Sequence, residues 1–364
     1  MGKMIQGLLR KVFTVAVAVF EIHFYMQLNP VTVQNTPPEA APDSSKFNDE
    51  DSDACTMGEG ISMQRNISAY ESKFDRESTL VMTMASSAQL ELLRVWLAAR
   101  RRQQLVVLAF DKETVKECCE LGINYLFDDS FQLGAGEDIQ FKSAEFLKLG
   151  LAKFSTLKGI VEAGYSVLFS EIDVYEVRDP EQCKLTTSSR DQKQECIYAD
   201  NFDLEIHPNI LPGKLAMPGS ELNIGFFYLR SSVASISLLD EVCQCLRKNC
   251  GWDQSVLTSI AWKMQCCFVD DNTVMAQEST CEAAECLRIR VLSVYYFPTG
   301  GNGGGRRRSS RQFGIVPPEY YASTKTCPVI VHCTGRTGLQ SKLDCARNVQ
   351  LLYGNCTEET TVEA

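Results

Sequence analysis

Apolar and polar residues along the central part of the chain form blocks that predict strands and helices in turn. Thr79–Ser86 and Leu105–Asp111 are nearly all apolar, which is typical of buried strands, and Ala88–Arg102 between them has apolar residues at helical spacing. A further helix is predicted over Phe141–Ala163. Strands and helices in this order predict an α/β fold, with a doubly wound, mostly parallel sheet flanked by helices in a single domain.

The stretch Gly164–Pro180 places two carboxylates directly after a predicted buried strand. Glu171 and Asp173 follow the run Tyr165–Ser170 at its carboxyl end. Ligands of open α/β sheets bind outside the carboxyl ends of the strands, and an acid-x-acid turn offers oxygen ligands to a hard divalent cation. A cation held there could bind a diphosphate. Taken without its context, such a pair would equally fit a solvated turn.

Composition narrows the range of partners. The chain has 364 residues, of which 45% are hydrophobic, and a formal net charge of −10. That length and composition are sufficient for a large buried core, whereas the negative charge argues against nucleic-acid binding, which depends on basic surfaces.

Cysteine usage indicates an oxidising compartment. All 16 cysteines lie at or after Cys55, and none form a CxxC pair. The alternative is a set of reduced, buried cysteines that act as small hydrophobic residues. Three pairs could close small loops, unless their members bond further afield: Cys245 with Cys250, Cys281 with Cys286, and Cys327 with Cys333.

The N-terminal segment predicts membrane attachment. Basic residues within 1–11 precede an apolar run over 12–28, which is typical of a short cytosolic tail followed by an uncleaved signal anchor. A cleaved signal peptide and an amphipathic helix are the alternatives. The run contains Glu21 and His23, and it is short for a bilayer span.

The composition of residues 29–77 predicts a flexible acidic stem, because Pro, Ser, Asp and Glu leave little to bury. The catalytic domain is then expected over 78–356, with a tail at 357–364. Asn66 and Asn355 begin glycosylation acceptor tripeptides, which agree with a lumenal location in the Golgi or another membrane of the secretory pathway.

Five sequence blocks, in order, resemble the nucleotide-diphospho-sugar transferase family, and within it the family-77 glycosyltransferases, which have a GT-A fold. The resemblance spans about Thr79 to Cys345. It is carried by the blocks Thr79–Thr114, Gly164–Pro180, Asn223–Ser232, Trp252–Leu257 and Val331–Lys342.

The resemblance implies a metal site and a donor site. The family's D-x-D motif corresponds to Glu171 and Asp173, with Glu171 standing where Asp is usual, and His332 corresponds to a third metal ligand. Mn²⁺ or another divalent cation is the implied cofactor. The donor site would comprise the metal ligand Glu171 together with Asn223, Gly225, Gly338 and Lys342. Asp111 is a further candidate for contact with the nucleotide, because it ends the second predicted strand.

Asp253 and Gln254 correspond to the family's DQ pair, which lies near the donor sugar and the acceptor. The resemblance implies a catalytic role for both residues, and Asp253 could equally be the N-cap of the helix that follows it.

The expected function is therefore metal-dependent transfer of a sugar from a nucleotide-diphosphate donor to a glycan or glycoprotein acceptor. The expected donor is UDP-linked, and the resemblance implies that the configuration of the anomeric carbon is retained. The alternative is a noncatalytic sugar-binding or scaffold protein that keeps the fold. It is motivated by Glu171 and by Thr334, which stands where the family often has Asn.

Overall fold

The structure is a computed structural model. It describes residues 74–76, 78–100, 104–127, 143–177, 202–209, 219–270, 286–292, 328–333 and 338–353. All of them belong to one compact unit, Met57–Ala364.

An eight-stranded sheet forms the centre of this unit, with the strand order β3-β2-β1-β4-β7-β6-β9-β8. Its strands are β1 (Leu80–Ala85), β2 (Leu105–Ala109), β3 (Asn124–Phe127), β4 (Val167–Ser170), β6 (Leu204–Pro208), β7 (Leu222–Leu229), β8 (Gln265–Asp270) and β9 (Leu287–Val291). A second sheet consists of β5 (Val174–Glu176) and β10 (Ile330–His332), which pair antiparallel.

Strand β7 runs antiparallel to both of its neighbours, β4 and β6, and all the other pairs in the large sheet are parallel. The sheet is therefore mostly parallel, as predicted. The antiparallel β7 brings its residue Gly225 to the carboxyl end of β4, where the acidic turn begins.

Six α-helices among the described residues cover both faces of the large sheet. They are α1 (Leu90–Ala98, preceded by a 3₁₀ turn at Ser87–Gln89), α2 (Lys112–Glu120), α3 (Ala144–Glu162), α4 (Val233–Arg247), α5 (Asp253–Met264) and α6 (Leu339–Tyr353). Each helix packs its apolar stripe against one face of the sheet, so a separate hydrophobic cluster lies on each side of the sheet. Helices α3, α4 and α5 contribute to one cluster, whereas α1, α2, α6 and the small sheet contribute to the other. The predicted doubly wound α/β fold is confirmed.

Three disulfides connect described residues, and they indicate an oxidising compartment. The small loop between Cys245 and Cys250 is confirmed. For Cys286 and Cys333 the alternative of bonding further afield is confirmed, because Cys286 bonds to Cys266 and Cys333 bonds to Cys345. The structure shows the reduced, buried alternative for Cys118 and Cys243.

Several predictions fall on residues outside the described ranges. They are the tail and anchor of residues 1–28, the stem apart from residues 74–76, the glycosylation tripeptides and the C-terminal tail. Within the part of the chain that the structure describes, no helix is long and apolar enough to cross a membrane.

Asp111 connects the loop after β1 to the start of α2. Its carboxylate accepts hydrogen bonds from the Thr114 backbone N–H at 2.8 Å and from the Thr114 hydroxyl at 2.6 Å. Its other oxygen accepts from the Ser87 backbone N–H at 2.6 Å. Asp111 is thus the N-cap of α2, and the donor contact expected of it remains a prediction.

Asp111→Ala should lower the free energy of unfolding by roughly 2 kcal/mol, because the cap and the Ser87 bond are both lost. Urea denaturation measures this change. Asp111→Asn is the matched control, since an Asn side chain still caps the helix, and it should recover about half of the loss. A UDP affinity reduced tenfold in Asp111→Asn, with that partly recovered stability, would instead make Asp111 a donor contact.

Candidate active site

The two acids of the sequence motif lie on a tight turn between two strands. The turn leaves β4 at Ser170 and enters β5 at Val174, whose N–H donates to the Glu171 carbonyl at 3.0 Å. The Glu171 N–H donates to the Gly225 carbonyl of β7 at 2.7 Å. Backbone hydrogen bonds thus fix the turn at the carboxyl end of the parallel strands, where ligands of such sheets bind.

His332 reaches this turn because β10 pairs with β5 and places His332 opposite Val174. Its Nε2 lies 3.3 Å from Asp173 Oδ1 and 3.5 Å from Glu171 Oε2. The structure therefore brings together the three residues predicted as metal ligands, with one ligand atom from each lying within 4.8 Å of the others.

The chemistry of this triad fits a divalent cation. Two carboxylates and one imidazole are a donor set that suits Mn²⁺. Asp173 Oδ1 and His332 Nε2 are buried, and neither has a well-formed hydrogen bond within the described structure. These two atoms lie 3.3 Å apart as an ion pair, and a cation bound between them would give each a well-formed contact, which buried polar atoms normally have.

Gly225 makes room for the triad. A Cβ atom at this position would collide with the His332 ring and would lie 2.9 Å from Glu171 Oε2. The missing side chain at Gly225 therefore lets the side chains of His332 and Glu171 pack closely against its backbone. The Gly225 N–H donates to the Asn223 side-chain oxygen at 2.8 Å, beside an irregularity in the β6–β7 pairing. Asn223 thus stabilises the backbone at Gly225, and sugar contacts by these two residues remain predictions.

Lys342 compensates the charge of Asp173. Its Nζ lies 2.7 Å from Asp173 Oδ2, and a quarter of its side chain is exposed. Burial would raise the pKa of Asp173, but attraction to Lys342 and His332 outweighs it and holds that pKa well below its usual range. Burial would likewise lower the pKa of Lys342, yet Asp173 raises it.

Gly338, also a predicted donor residue, directly precedes α6, and its carbonyl accepts from the Lys342 N–H at 3.4 Å.

The carboxylates beside His332 favour the protonated form of its imidazole. Burial lowers its pKa, but the carboxylates of Asp173 and Glu171 raise it to about 9. Glu171 has the most exposed side chain of the triad at 30%. Burial is the largest effect and raises its pKa, but hydrogen bonding and attraction to His332, together with attraction to Lys153, lower that pKa on balance. Because a metal ligand must be a neutral imidazole, a bound cation would replace the His332 proton.

The predicted catalytic pair lies at the start of α5. Asp253 is the first residue of this helix, whereas the N-cap is Trp252, so the capping alternative for Asp253 is wrong. Asp253 Oδ1 accepts from the Gln254 N–H at 2.9 Å, and its Oδ2 lies 3.0 Å from Lys153 Nζ. Gly150 allows this approach, since a Cβ atom there would lie 2.8 Å from the Asp253 Cβ.

Lys153 is a site residue that the sequence did not reveal. Its side chain is 1% exposed, and its Nζ also lies 4.0 Å from Glu171 Oε1. One buried cation therefore connects the acidic turn to the predicted catalytic acid. The available signal was a lysine within the apolar stripe of a long helix, three residues after Gly150.

His207 is a second residue that the sequence did not reveal. It is buried and lies opposite Asn223 in the β6–β7 pairing. Burial, and secondarily the charge on His332, lower the pKa of His207 well below its usual value. A neutral imidazole therefore lies on the strand beside Asn223.

Known proteins resemble this chain at the level of family. Residues 100–345 match the model of the family described as nucleotide-diphospho-sugar transferase. Two relatives in Arabidopsis thaliana are arabinosyltransferases RRA1 and RRA2, each 26% identical over 189 residues. The β-arabinofuranosyltransferase RAY1 of the same plant is 25% identical over 184 residues.

These alignments cover 49%, 49% and 46% of this chain, and 46%, 43% and 30% of the respective relatives. The chain thus spans less than half the length of each.

Among solved structures, a glycosyltransferase involved in glycosylation of the major capsid of PBCV-1 matches with a TM-score of 0.35 and 12% identity. The match covers 75% of this chain and 99% of that one. Mouse xyloside xylosyltransferase 1 matches with a TM-score of 0.36 and 11% identity, over 70% and 97% of the two chains.

Gly225→Ala should abolish Mn²⁺ binding, because the added methyl group displaces His332 and Glu171. Isothermal titration of the purified chain with Mn²⁺ measures this loss. Gly150→Ala is the matched control, since its methyl group meets Asp253 and leaves the triad intact. Equal Mn²⁺ affinity in the wild type and Gly225→Ala would contradict the assigned geometry.

Lys153→Met should lower the free energy of unfolding by about 3–5 kcal/mol, because it leaves the buried Asp253 carboxylate without its cation. Lys158→Met is the control on the same helix. Lys158 pairs with the more exposed Asp240 at 2.7 Å, and its loss should cost below about 1 kcal/mol. Urea unfolding of both variants measures the difference. Adding Asp253→Asn should restore much of the stability of Lys153→Met, and no recovery would contradict the pairing.

Proposed function

Because the chain belongs to the nucleotide-diphospho-sugar transferase family, we propose that it transfers a sugar from a nucleotide-diphosphate donor to a glycan or glycoprotein acceptor. The observation that carries the proposal is the triad of Glu171, Asp173 and His332 at the carboxyl end of β4. Its donor set suits Mn²⁺, and its place in the sheet is where such folds bind ligands.

The triad would hold the cation, which would supply positive charge to the diphosphate as the bond between the sugar and the diphosphate breaks. Lys342 supplies a second positive charge beside the triad, and its partly exposed side chain can turn from Asp173 towards a phosphate oxygen. Without a cation, the acids Glu171, Asp173 and Asp253 face the bases Lys153, His332 and Lys342. Binding a dication with loss of the His332 proton adds one net positive charge, which favours an anionic donor.

Asp253 and Gln254 are proposed to act at the sugar. Lys153 Nζ lies 3.0 Å from Asp253 Oδ2 and positions this carboxylate in a buried place. A carboxylate there can stabilise positive charge that develops on the anomeric carbon, or attack that carbon directly. If the carboxylate only stabilises the charge, the diphosphate leaves with the electron pair, and the acceptor hydroxyl bonds to the anomeric carbon and gives its proton to a phosphate oxygen of the leaving diphosphate. If the carboxylate attacks, the diphosphate leaves with the electron pair in that first step. The acceptor hydroxyl then displaces the carboxylate and gives its proton to the diphosphate. Retention of configuration is proposed from the family resemblance.

A UDP-linked pentose is the proposed donor. It is supported by the three relatives, whose names identify them as arabinosyltransferases or a β-arabinofuranosyltransferase. A panel of UDP-arabinose, in both ring forms, UDP-xylose, UDP-galactose and UDP-glucose tests the choice through donor hydrolysis.

The proposed location is a Golgi or other secretory-pathway membrane, with the domain of residues 78–356 in the lumen and the N-terminal segment as its anchor. Three disulfides among described residues support a lumenal setting.

Asp173→Asn should lower Mn²⁺-dependent donor turnover at least a hundredfold while keeping the fold, because the amide cannot replace the anionic ligand. Glu171→Asp is the control. It restores the acid usual in the family and should keep at least a tenth of the wild-type turnover. Donor hydrolysis and circular dichroism of each variant measure these effects. Full turnover in Asp173→Asn would refute the mechanism, and a wild type that binds neither Mn²⁺ nor UDP would favour a scaffold.

A further inference from the structure

The Cys333–Cys345 disulfide lies where the elements of the candidate site meet. Cys333 directly follows His332 at the end of β10, and Cys345 lies three residues after Lys342 on α6. Both cysteines are fully buried, and their Cα atoms are 6.1 Å apart. Residues three apart on a helix share a side, so this bond fixes the side of α6 that carries Lys342.

Cys333 is also tied to the acidic turn. Its backbone N–H donates to the Asp173 carbonyl at 2.9 Å, and its neighbour His332 lies opposite Val174 in the β10–β5 pairing. Cys333 therefore bonds through its backbone to the turn that carries Asp173, and through its sulfur to the helix that carries Lys342.

The other two described disulfides have no such connection. Cys245–Cys250 closes the C-terminal end of α4, and Cys266–Cys286 joins the start of β8 to the residue before β9. Cys245 packs against the hydrophobic cluster on one face of the sheet, whereas Cys333 and Cys345 belong to the cluster on the other face. Cys245–Cys250 is therefore a control with the same chemistry in a different place.

We propose that Cys333–Cys345 is a positioning crosslink that holds His332 and Lys342 against Asp173. The inference rests on the proposed cation site. The attraction between Lys342 and Asp173 opposes the cost of burying both charges only while their separation stays short. A ligand such as His332 likewise needs its orientation fixed by the groups around it. The crosslink supplies both constraints, so the oxidised chain has a preformed site.

The experiment compares Cys333→Ala/Cys345→Ala with Cys245→Ala/Cys250→Ala. Each is assayed for melting temperature, for Mn²⁺ affinity by titration with the metal alone, and for UDP affinity at saturating Mn²⁺. The first variant should bind Mn²⁺ at least tenfold more weakly than the wild type, which is the usual effect of removing a group that orients a ligand. The second variant should bind Mn²⁺ within about twofold of the wild-type affinity, because the Cys245–Cys250 disulfide only stabilises the fold.

A second measurement uses the wild-type chain and does not require either variant to fold. Dithiothreitol supplies the two electrons and two protons that convert a disulfide into two thiols, and it becomes a cyclic disulfide. Coupling between two equilibria is reciprocal. Saturating Mn²⁺ should therefore make Cys333–Cys345 harder to reduce, by the same factor by which reduction of this disulfide weakens Mn²⁺ binding. The reduction of Cys245–Cys250 should be unchanged by Mn²⁺. Thiol labelling and mass spectrometry measure both.

Wild-type Mn²⁺ affinity in Cys333→Ala/Cys345→Ala, or equal reduction with and without Mn²⁺, would overturn the inference and leave a disulfide that only stabilises the fold. A wild-type chain that does not bind Mn²⁺ would instead refute the cation site of the proposed function. The two failures are therefore distinguishable.

Discussion

The burial of the Asp173 carboxylate is the constraint on which the rest of the site depends. A buried anion is costly unless opposite charges lie close to it. Here the opposite charges come from His332 and Lys342, which belong to β10 and α6 and follow Asp173 by more than 150 residues. The C-terminal strand and helix must therefore be in place before the acidic turn can be both buried and charged.

The single antiparallel strand of the large sheet makes this arrangement possible. β7 lies between β4 and β6, and its Gly225 carbonyl accepts from the Glu171 N–H at 2.7 Å. A side chain at Gly225 would occupy the space of His332 and Glu171. Close backbone approach is thus required by the site's own side chains, whether or not a ligand is present.

Lys153 joins the acidic turn to Asp253. It lies on α3, which packs on the face of the large sheet opposite to the small sheet. Its Nζ lies 3.0 Å from Asp253 Oδ2 and 4.0 Å from Glu171 Oε1, and 5.2 Å from the ring centroids of Phe154 and Phe169. A change on the acidic turn is therefore expected to alter the environment of Asp253 as well. Such coupling is useful when the acidic turn and Asp253 must act on the same donor.

The sequence by itself determined the alternation of strands and helices up to β4, the mostly parallel sheet, and the position of Glu171 and Asp173 at a strand end, because these follow from local periodicity and the order of the elements. It did not predict the strands β6, β8 and β9. The family resemblance also identified His332 and Lys342 as candidates. Only the tertiary structure decided that Asp111 caps a helix, that Gly225 accommodates His332, that Lys153 pairs with Asp253, and that Cys333 bonds to Cys345. Each of these depends on which elements lie side by side, and local periodicity carries no information about neighbours in space.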